Sequence, residues 1–297
     1  MKVLNGDLIL LKIVRHLIKF FLPFIFMTSK KKEVMFACIL YNVLFRRFEF
    51  ISMKSKDGNT YCFPFLSDFS FFINGVDYKK YGESNLFPII QKYVNSGDTV
   101  IEVGSSWGQE VAYLSALVGP EGKVFCFEPN PKSFFALKRN NKKNGFKNVT
   151  SINAAIGNCE GRLKVENRIW ERSTSIENNT NIIDGFVKVI RLDDYFQDYQ
   201  CNIAFLKIDT DGFDYEVLKG SENLIKKHDP GIILEFLPSI EYSNMKGEEV
   251  LKAYKSLGYV PHAIRKNYEE IPDFKQYLKN FGDSNHDYTH DLFLKRR

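Results

Sequence analysis

The stretch Asp98-Thr-Val-Ile-Glu-Val-Gly-Ser-Ser-Trp-Gly-Gln-Glu110, read with Val124-Phe-Cys-Phe-Glu-Pro-Asn-Pro131, decides the fold of this chain. An apolar strand runs into a glycine turn, a helix follows, and a second apolar strand ends on a carboxylate. That order builds a nucleotide cradle. Gly104 and Gly108 lack a Cβ, so the backbone can turn tightly and approach a ligand closely. The helix start near Gln109 presents unpaired N–H groups to a carboxylate or phosphate. Glu128 follows the turn by about 20–25 residues, the spacing at which an acid accepts both hydroxyls of a ribose. Alone, the Gly-x-x-x-Gly pattern would be a loop; the strand, the helix and the spaced acid give it meaning.

Downstream of this unit, strands and helices alternate, which predicts an α/β fold with a doubly wound, mostly parallel sheet. Strands are expected at 99–103, 123–128, 149–155, 203–208, 231–236 and 259–263, with a last one at 291–295. Helices are expected at 109–118, 132–144, 215–227 and 247–257, after a linking helix at 85–93. Residues 163–181 break the rhythm with Ser, Thr and Asn and read as a surface hairpin or lid. The organisation is an N-terminal extension, 1–84, and a main domain, 85–297. In the extension, 1–47 reads as two helices around Pro23, and 48–73 as short Phe-rich strands with a turn at Lys56-Asp-Gly-Asn59.

Composition sets bounds on function. The net charge of +5 over 297 residues is uneven. Residues 1–60 hold eleven Lys/Arg against four Asp/Glu, so +7, which leaves −2 for the rest. A main domain without basic excess argues against a nucleic-acid groove. The five cysteines form no Cys-x-x-Cys pair and no zinc-ligand spacing, and a reducing cytoplasm is the expected setting. Lys12, Arg15, His16 and Lys19 recur on one face of an otherwise apolar segment, interrupting any membrane span. Two readings stay open for residues 8–32. One is an interfacial helix on the anionic inner face of a membrane, aided by Lys30-Lys-Lys32; the other is a helix packed on the main domain or on a second subunit of a homodimer.

The run Leu206-Lys-Ile-Asp-Thr-Asp-Gly-Phe-Asp-Tyr-Glu-Val-Leu-Lys-Gly220 follows the glycine turn and the Phe-Glu-Pro-Asn-Pro strand end. With Ile152-Asn-Ala-Ala-Ile-Gly157, Ser173-Thr-Ser-Ile176, Arg191-Leu-Asp-Asp194 and Ile232-Ile-Leu-Glu-Phe236 in that order, it resembles the FkbM family of S-adenosylmethionine-dependent methyltransferases. The resemblance covers about residues 85–295. It implies a seven-stranded class I methyltransferase sheet whose last strand is antiparallel, and S-adenosylmethionine as cofactor. By position it implies Glu102, Gly104, Ser105 and Gly108 at the methionine end, Glu128 and Asn130 at the ribose, and Asn153 and Ala154 beside the adenine. Two departures stand out: Glu102 replaces the usual Asp, and Ser-Ser-Trp replaces an Ala-Asn turn.

A sulfonium methyl is already electrophilic, so the protein's main task is alignment for in-line displacement. A hydroxyl acceptor must also lose its proton, which calls for a base or a metal. Asp209 ends an apolar strand at the rim where open α/β sheets place ligands; Asp211 lies two residues on, and Glu235 ends the expected neighbouring strand. These three carboxylates are read as the catalytic set, acting either as base or as ligands of a shared divalent cation. Ser173, Thr174 and Ser175 are candidate acceptor contacts. The expected activity is O-methylation of a sugar or glycoconjugate, such as a glycolipid or surface polysaccharide precursor. Two rivals remain. One is a scaffold that binds the cofactor without turnover; the other is a short-chain oxidoreductase, suggested by Tyr215-x-x-x-Lys219 but lacking the third turn glycine.

Overall fold

All five residues of Thr99-Val-Ile-Glu-Val103 are buried, as are all six of Ile203-Ala-Phe-Leu-Lys-Ile208. Unbroken burial is the signature of strands at the centre of a parallel sheet covered on both faces. The computed structural model describes residues 3–5, 50–54, 58–64, 86–165, 176–177, 185–236, 247–264, 269–271, 273, 275–277, 279 and 290–296. In chain order the elements begin with β1 (Val3–Asn5), β2 (Phe50–Lys54), β3 (Thr60–Pro64) and α1 (Phe87–Tyr93). Then come β4 (Thr99–Val103), α2 (Val111–Val118), β5 (Lys123–Phe127), α3 (Pro131–Asn144) and β6 (Val149–Ile152). A small second sheet contributes β7 (Ala155–Ile156), β8 (Gly161–Lys164), β9 (Ile176–Glu177) and β10 (Phe186–Ile190). The chain continues through α4 (Leu192–Tyr195), β11 (Ile203–Ile208), α5 (Asp214–Lys219), α6 (Glu222–His228) and β12 (Gly231–Phe236). It closes with α7 (Gly247–Ser256), β13 (Tyr259–Ala263), β14 (Glu269–Glu270) and β15 (His290–Arg296).

The main sheet has the order β14-β13-β15-β12-β11-β4-β5-β6. Strands β6, β5, β4, β11 and β12 run parallel, and β15 is antiparallel to both β12 and β13. Apart from the two-residue edge strand β14, this is the seven-stranded class I methyltransferase arrangement. Alternate residues feed two cores. Val100, Phe205 and Ile233 join α1 and α2 on one face, while Ile101, Leu206 and Ile232 join α5, α6 and α7 on the other. Helix α3 starts cleanly because Asn130 accepts from the N–H groups of Lys132 and Ser133 and Pro131 sits in its first turn. It ends at Gly145, whose φ of 71° suits a residue without Cβ.

The described residues meet some expectations and correct others. The strand expected at 149–155 stops at Ile152, and Ala155–Ile156 instead pairs in parallel with β10. The helix expected at 215–227 is broken at Gly220, where the backbone comes so close to Gly157 that a Cβ would lie 2.0 Å from its carbonyl oxygen. In the segment expected as a hairpin or lid, Arg162 and Leu163 pair antiparallel with Glu177 and Ile176. Residues 3–5, expected in a helical stretch, form a strand parallel to β2. Strands β2 and β3 form an antiparallel pair across residues 55–59. The basic segment 8–32 and Ser173, Thr174 and Ser175 lie outside the described residues.

Candidate active site

The parallel strands all deliver their C-terminal ends to one rim. β4 runs straight into Gly104, whose φ is 83°. A Cβ there would lie 1.7 Å from the carbonyl oxygen of Asp209, so only glycine lets the turn cross the end of β11. The turn is tied to both neighbours: Gly104 N and Ser105 N donate to Phe127 O at 2.9 and 3.1 Å, and Asp209 N donates to Val103 O at 2.9 Å. Ser105 is buried, and its hydroxyl donates to the carbonyl of Glu102 at 3.2 Å. Gly108 N closes the turn on Ser105 O at 2.7 Å.

Glu128, one residue beyond β5, points into this turn. Its Oε2 accepts from Ser106 N and its Oε1 from Asn130 N, both at 2.7 Å. Burial pushes its carboxyl up to about 7 against the pull of those two N–H groups, and the charges of Asp209 and Asp211 add to the rise. Asn130 is committed as the cap of α3. Asn153 uses its amide to hold the strand end, donating to the carbonyls of Glu128 and Pro129 at 2.8 and 3.0 Å. Ala154 is buried beside it, and Glu102 is wholly buried on β4, with the Cys126 sulfur 3.8 Å from its Oε2.

At the end of β11, Asp209 is 31 % exposed and its Oδ2 takes a charge-assisted hydrogen bond from Lys207 Nζ at 3.1 Å. Lys207 is 3 % exposed and lies in register with Glu102 on the adjacent strand. Asp211 is exposed and left-handed, with φ 53°. For the reading of Asp209, Asp211 and Glu235 as a cation site the geometry gives no support: among the described residues no group of three or more His, Cys, Asp and Glu could hold a metal ion. Glu235, next to last in β12, lies opposite Asp291 of β15. Besides Glu128, a second carboxylate that feels the Asp209 charge is Asp214. It is buried at the start of α5, accepts from Gly212 N at 3.3 Å, and is pushed up to about 7 by burial and by the Asp209 charge. The N–H groups of Gly212, Thr210 and Asp214 itself pull against that rise.

Sequence reasoning overlooked Lys207 and Asp214. The first carried a signal, since a lysine inside Ile-Ala-Phe-Leu-Lys-Ile has no solvated face to occupy. Asp214 carried no such signal, because an acid in a first helical turn is commonplace. Trp107, part of the departure from the family's turn, is 2 % exposed and packs on Tyr61 and Phe63 of β3 at ring separations of 6.1 and 5.8 Å. Tyr215 and Lys219 stack on each other, with Nζ 5.6 Å from the ring centre. His262 sits on β13 with Nδ1 2.8 Å from Val260 O.

The family described as the methyltransferase FkbM domain matches residues 94–261. A protein-L-isoaspartate O-methyltransferase of Ignicoccus hospitalis is 41% identical over 56 residues, which are 19% of this chain and 26% of that protein. Among solved structures, a methyltransferase FkbM from Methylobacillus flagellatus superposes with a TM-score of 0.45 at 14% identity, over 76% of this chain and 52% of that one. Aeropyrum pernix fibrillarin with natively bound S-adenosylmethionine gives a TM-score of 0.42 at 11% identity, over 82% and 92%. The chain therefore spans about a quarter of the curated relative and about half of the Methylobacillus chain.

Proposed function

Because this chain belongs to the FkbM family of S-adenosylmethionine-dependent methyltransferases, we propose that it methylates a hydroxyl of a sugar or glycoconjugate. The observation that supports cofactor binding here is the meeting of Glu128 with the Gly104 turn through Ser106 N. The residues suit the cofactor. The turn at Gly104 leaves no room for a Cβ, as a close backbone approach requires, and Glu128 offers a buried carboxylate at the strand end. Glu102, Ser105 and Gly108 would border the methionine end, Glu128 and Asn130 the ribose, and Asn153 and Ala154 the adenine. When bound, the cofactor supplies an electrophilic methyl on a sulfonium.

The chain's own residues orient the acceptor and manage its proton. Lys207 occupies Oδ2 of Asp209, which leaves Oδ1 for the acceptor hydroxyl. Asp209 then holds the hydroxyl in line and takes up its proton as the new bond forms. Asp211 and Glu235 border the same rim, and Ser173, Thr174 and Ser175 would contact the acceptor. The basic segment 8–32 would hold the enzyme on an anionic inner membrane face, where a lipid-linked glycan is presented. Among the described residues no helix is long and apolar enough to cross a membrane.

The test is mass spectrometry of glycolipids and surface glycans from cells with and without the protein. A species that loses the mass of one CH₂ in the deletion strain identifies the acceptor. Identical profiles, with S-adenosylmethionine still bound by the purified protein, would favour the scaffold reading. Deleting residues 1–27 should move the protein from membrane to soluble fractions; full-length protein already soluble would refute the anchor.

A further inference from the structure

The turn between Gly104 and Gly108 is gripped from outside the sheet that carries it. We propose that the N-terminal sheet β1-β2-β3 is a clasp for this turn, acting through Asn140 and Trp107 as positioning residues. The proposal rests on reading residues 104–108 as the cofactor turn. Asn140, buried in the middle of α3, commits its whole amide to the link. Its Oδ1 accepts from Cys62 N at 2.6 Å, and its Nδ2 donates to Cys62 O at 3.0 Å and to Trp107 O at 2.8 Å. Both partners of the nitrogen are carbonyls and the partner of the oxygen is an N–H, so one amide orientation alone satisfies all three. Four residues on, Asn144 repeats the pairing on Thr60 at 2.7 and 2.9 Å. Two asparagine amides thus serve β3 as a neighbouring strand would, and of the two, Asn140 continues to the turn.

This link meets the turn at a strained point. Ser106 has φ 48°, a conformation that an L-residue keeps where its surroundings over-determine it. Those surroundings are on view. The Ser106 N–H is held by Glu128, the Trp107 ring is buried on Tyr61 and Phe63, the Trp107 carbonyl is held by Asn140, and Gly108 N closes on Ser105 O. Without β3 the Trp107 ring would lose its cover and Ser106 would relax towards extended backbone. Its N–H would then leave Oε2 of Glu128, and the carboxylate would lose its aim at the ribose. The clasp therefore tunes cofactor affinity from a part of the chain that does not touch the cofactor.

Calorimetric titration of the full chain with S-adenosylmethionine tests this. Asn140→Asp keeps the shape but sets a carboxylate oxygen against two carbonyls, and should weaken binding about tenfold or more. Asn144→Asp breaks the same pairing on β3 without reaching the turn, and should stay within about threefold of wild type. Equal losses for Asn140→Asp and Asn144→Asp, or no loss in either, would overturn the clasp. Hydrogen exchange of the peptide spanning 104–110 supplies a readout independent of the cofactor. Faster exchange in Asn140→Asp than in Asn144→Asp supports the clasp, and equal exchange overturns it. A Gln variant at 140 replaces the Asp variant if the latter does not fold. Silence of the wild type in calorimetry would sink the cofactor reading alone, and the exchange comparison would still decide the clasp.

Discussion

The main-chain N–H of Ser106 donates to Oε2 of Glu128 across 2.7 Å, joining the turn after β4 to the residue after β5. A buried carboxylate held by Ser106 N on one oxygen and Asn130 N on the other is preorganised, with lone pairs left for a diol. Glu128→Gln keeps the size but puts an NH₂ against one of those N–H donors. Affinity for S-adenosylmethionine should fall about tenfold or more by calorimetry. Unchanged affinity would remove Glu128 from the ribose site.

Protonation of the same group makes binding pH-dependent. With the carboxyl at about 7 in the free protein, the ionised form that accepts two hydroxyls is the minority below that pH. Affinity should therefore rise between pH 6 and 8 and level off above, by up to about tenfold per unit on the acid side. A flat profile in wild type would contradict this, and Glu128→Gln should be flat at lower affinity.

Stability should move in the opposite direction. Glu128 and Asp214 are raised from 4.5 and 3.8 to about 7 in the folded state, so the folded chain binds more protons than the unfolded chain between those values. Their contribution is full below the unfolded values and is lost as pH rises through the folded ones. Urea midpoints of wild type should include a decline from about pH 4 to 7 that the double variant Glu128→Gln/Asp214→Asn lacks. Parallel curves for the two proteins would show that these groups do not couple to folding.

Asp209→Ala should abolish turnover and leave cofactor affinity within about threefold of wild type, since its carboxylate faces the acceptor side. Lys207→Met should lower kcat as well and cost about 2 kcal/mol or more of stability, because it removes the cation of a largely buried pair. Normal turnover in Asp209→Ala would take Asp209 out of the mechanism.

Two glycines with similar φ separate collision from backbone preference. Gly104→Ala would place a methyl 1.7 Å from Asp209 O and should destabilise the fold by about 3 kcal/mol or more. Gly145, φ 71°, has nothing within 4 Å of its would-be Cβ, and Gly145→Ala should cost only about 1 kcal/mol. Equal melting shifts would mean that the turn can move away from β11.

Much of the architecture was legible because it is local. Mostly apolar runs at 99–103 and 203–208, a cap at Asn130 and the spacing from Gly104 to Glu128 all follow from neighbouring residues. The errors fall where a distant contact intervenes. The helix expected through 215–227 breaks at Gly220 because the backbone of Gly157 presses on it. Asn140, a poor choice for a helix interior, is explained only by the edge of β3 and the carbonyl of Trp107. That Lys207 bonds Asp209, and that the Asp209 charge reaches the buried Asp214 and Glu128, follows from no spacing along the chain.

By itself the amino-acid order determined the βα unit, the glycine turn and the family to which they belong, since strand burial, turn conformation and helix capping are governed by residues a few positions apart. Only the tertiary structure decided the partners: that β11 lies beside β4, that Lys207 serves Asp209, and that Trp107 turns to an N-terminal strand. Those choices depend on which backbone hydrogen bonds the strands exchange and on what each buried polar group finds within reach, and neither is written in spacing along the chain.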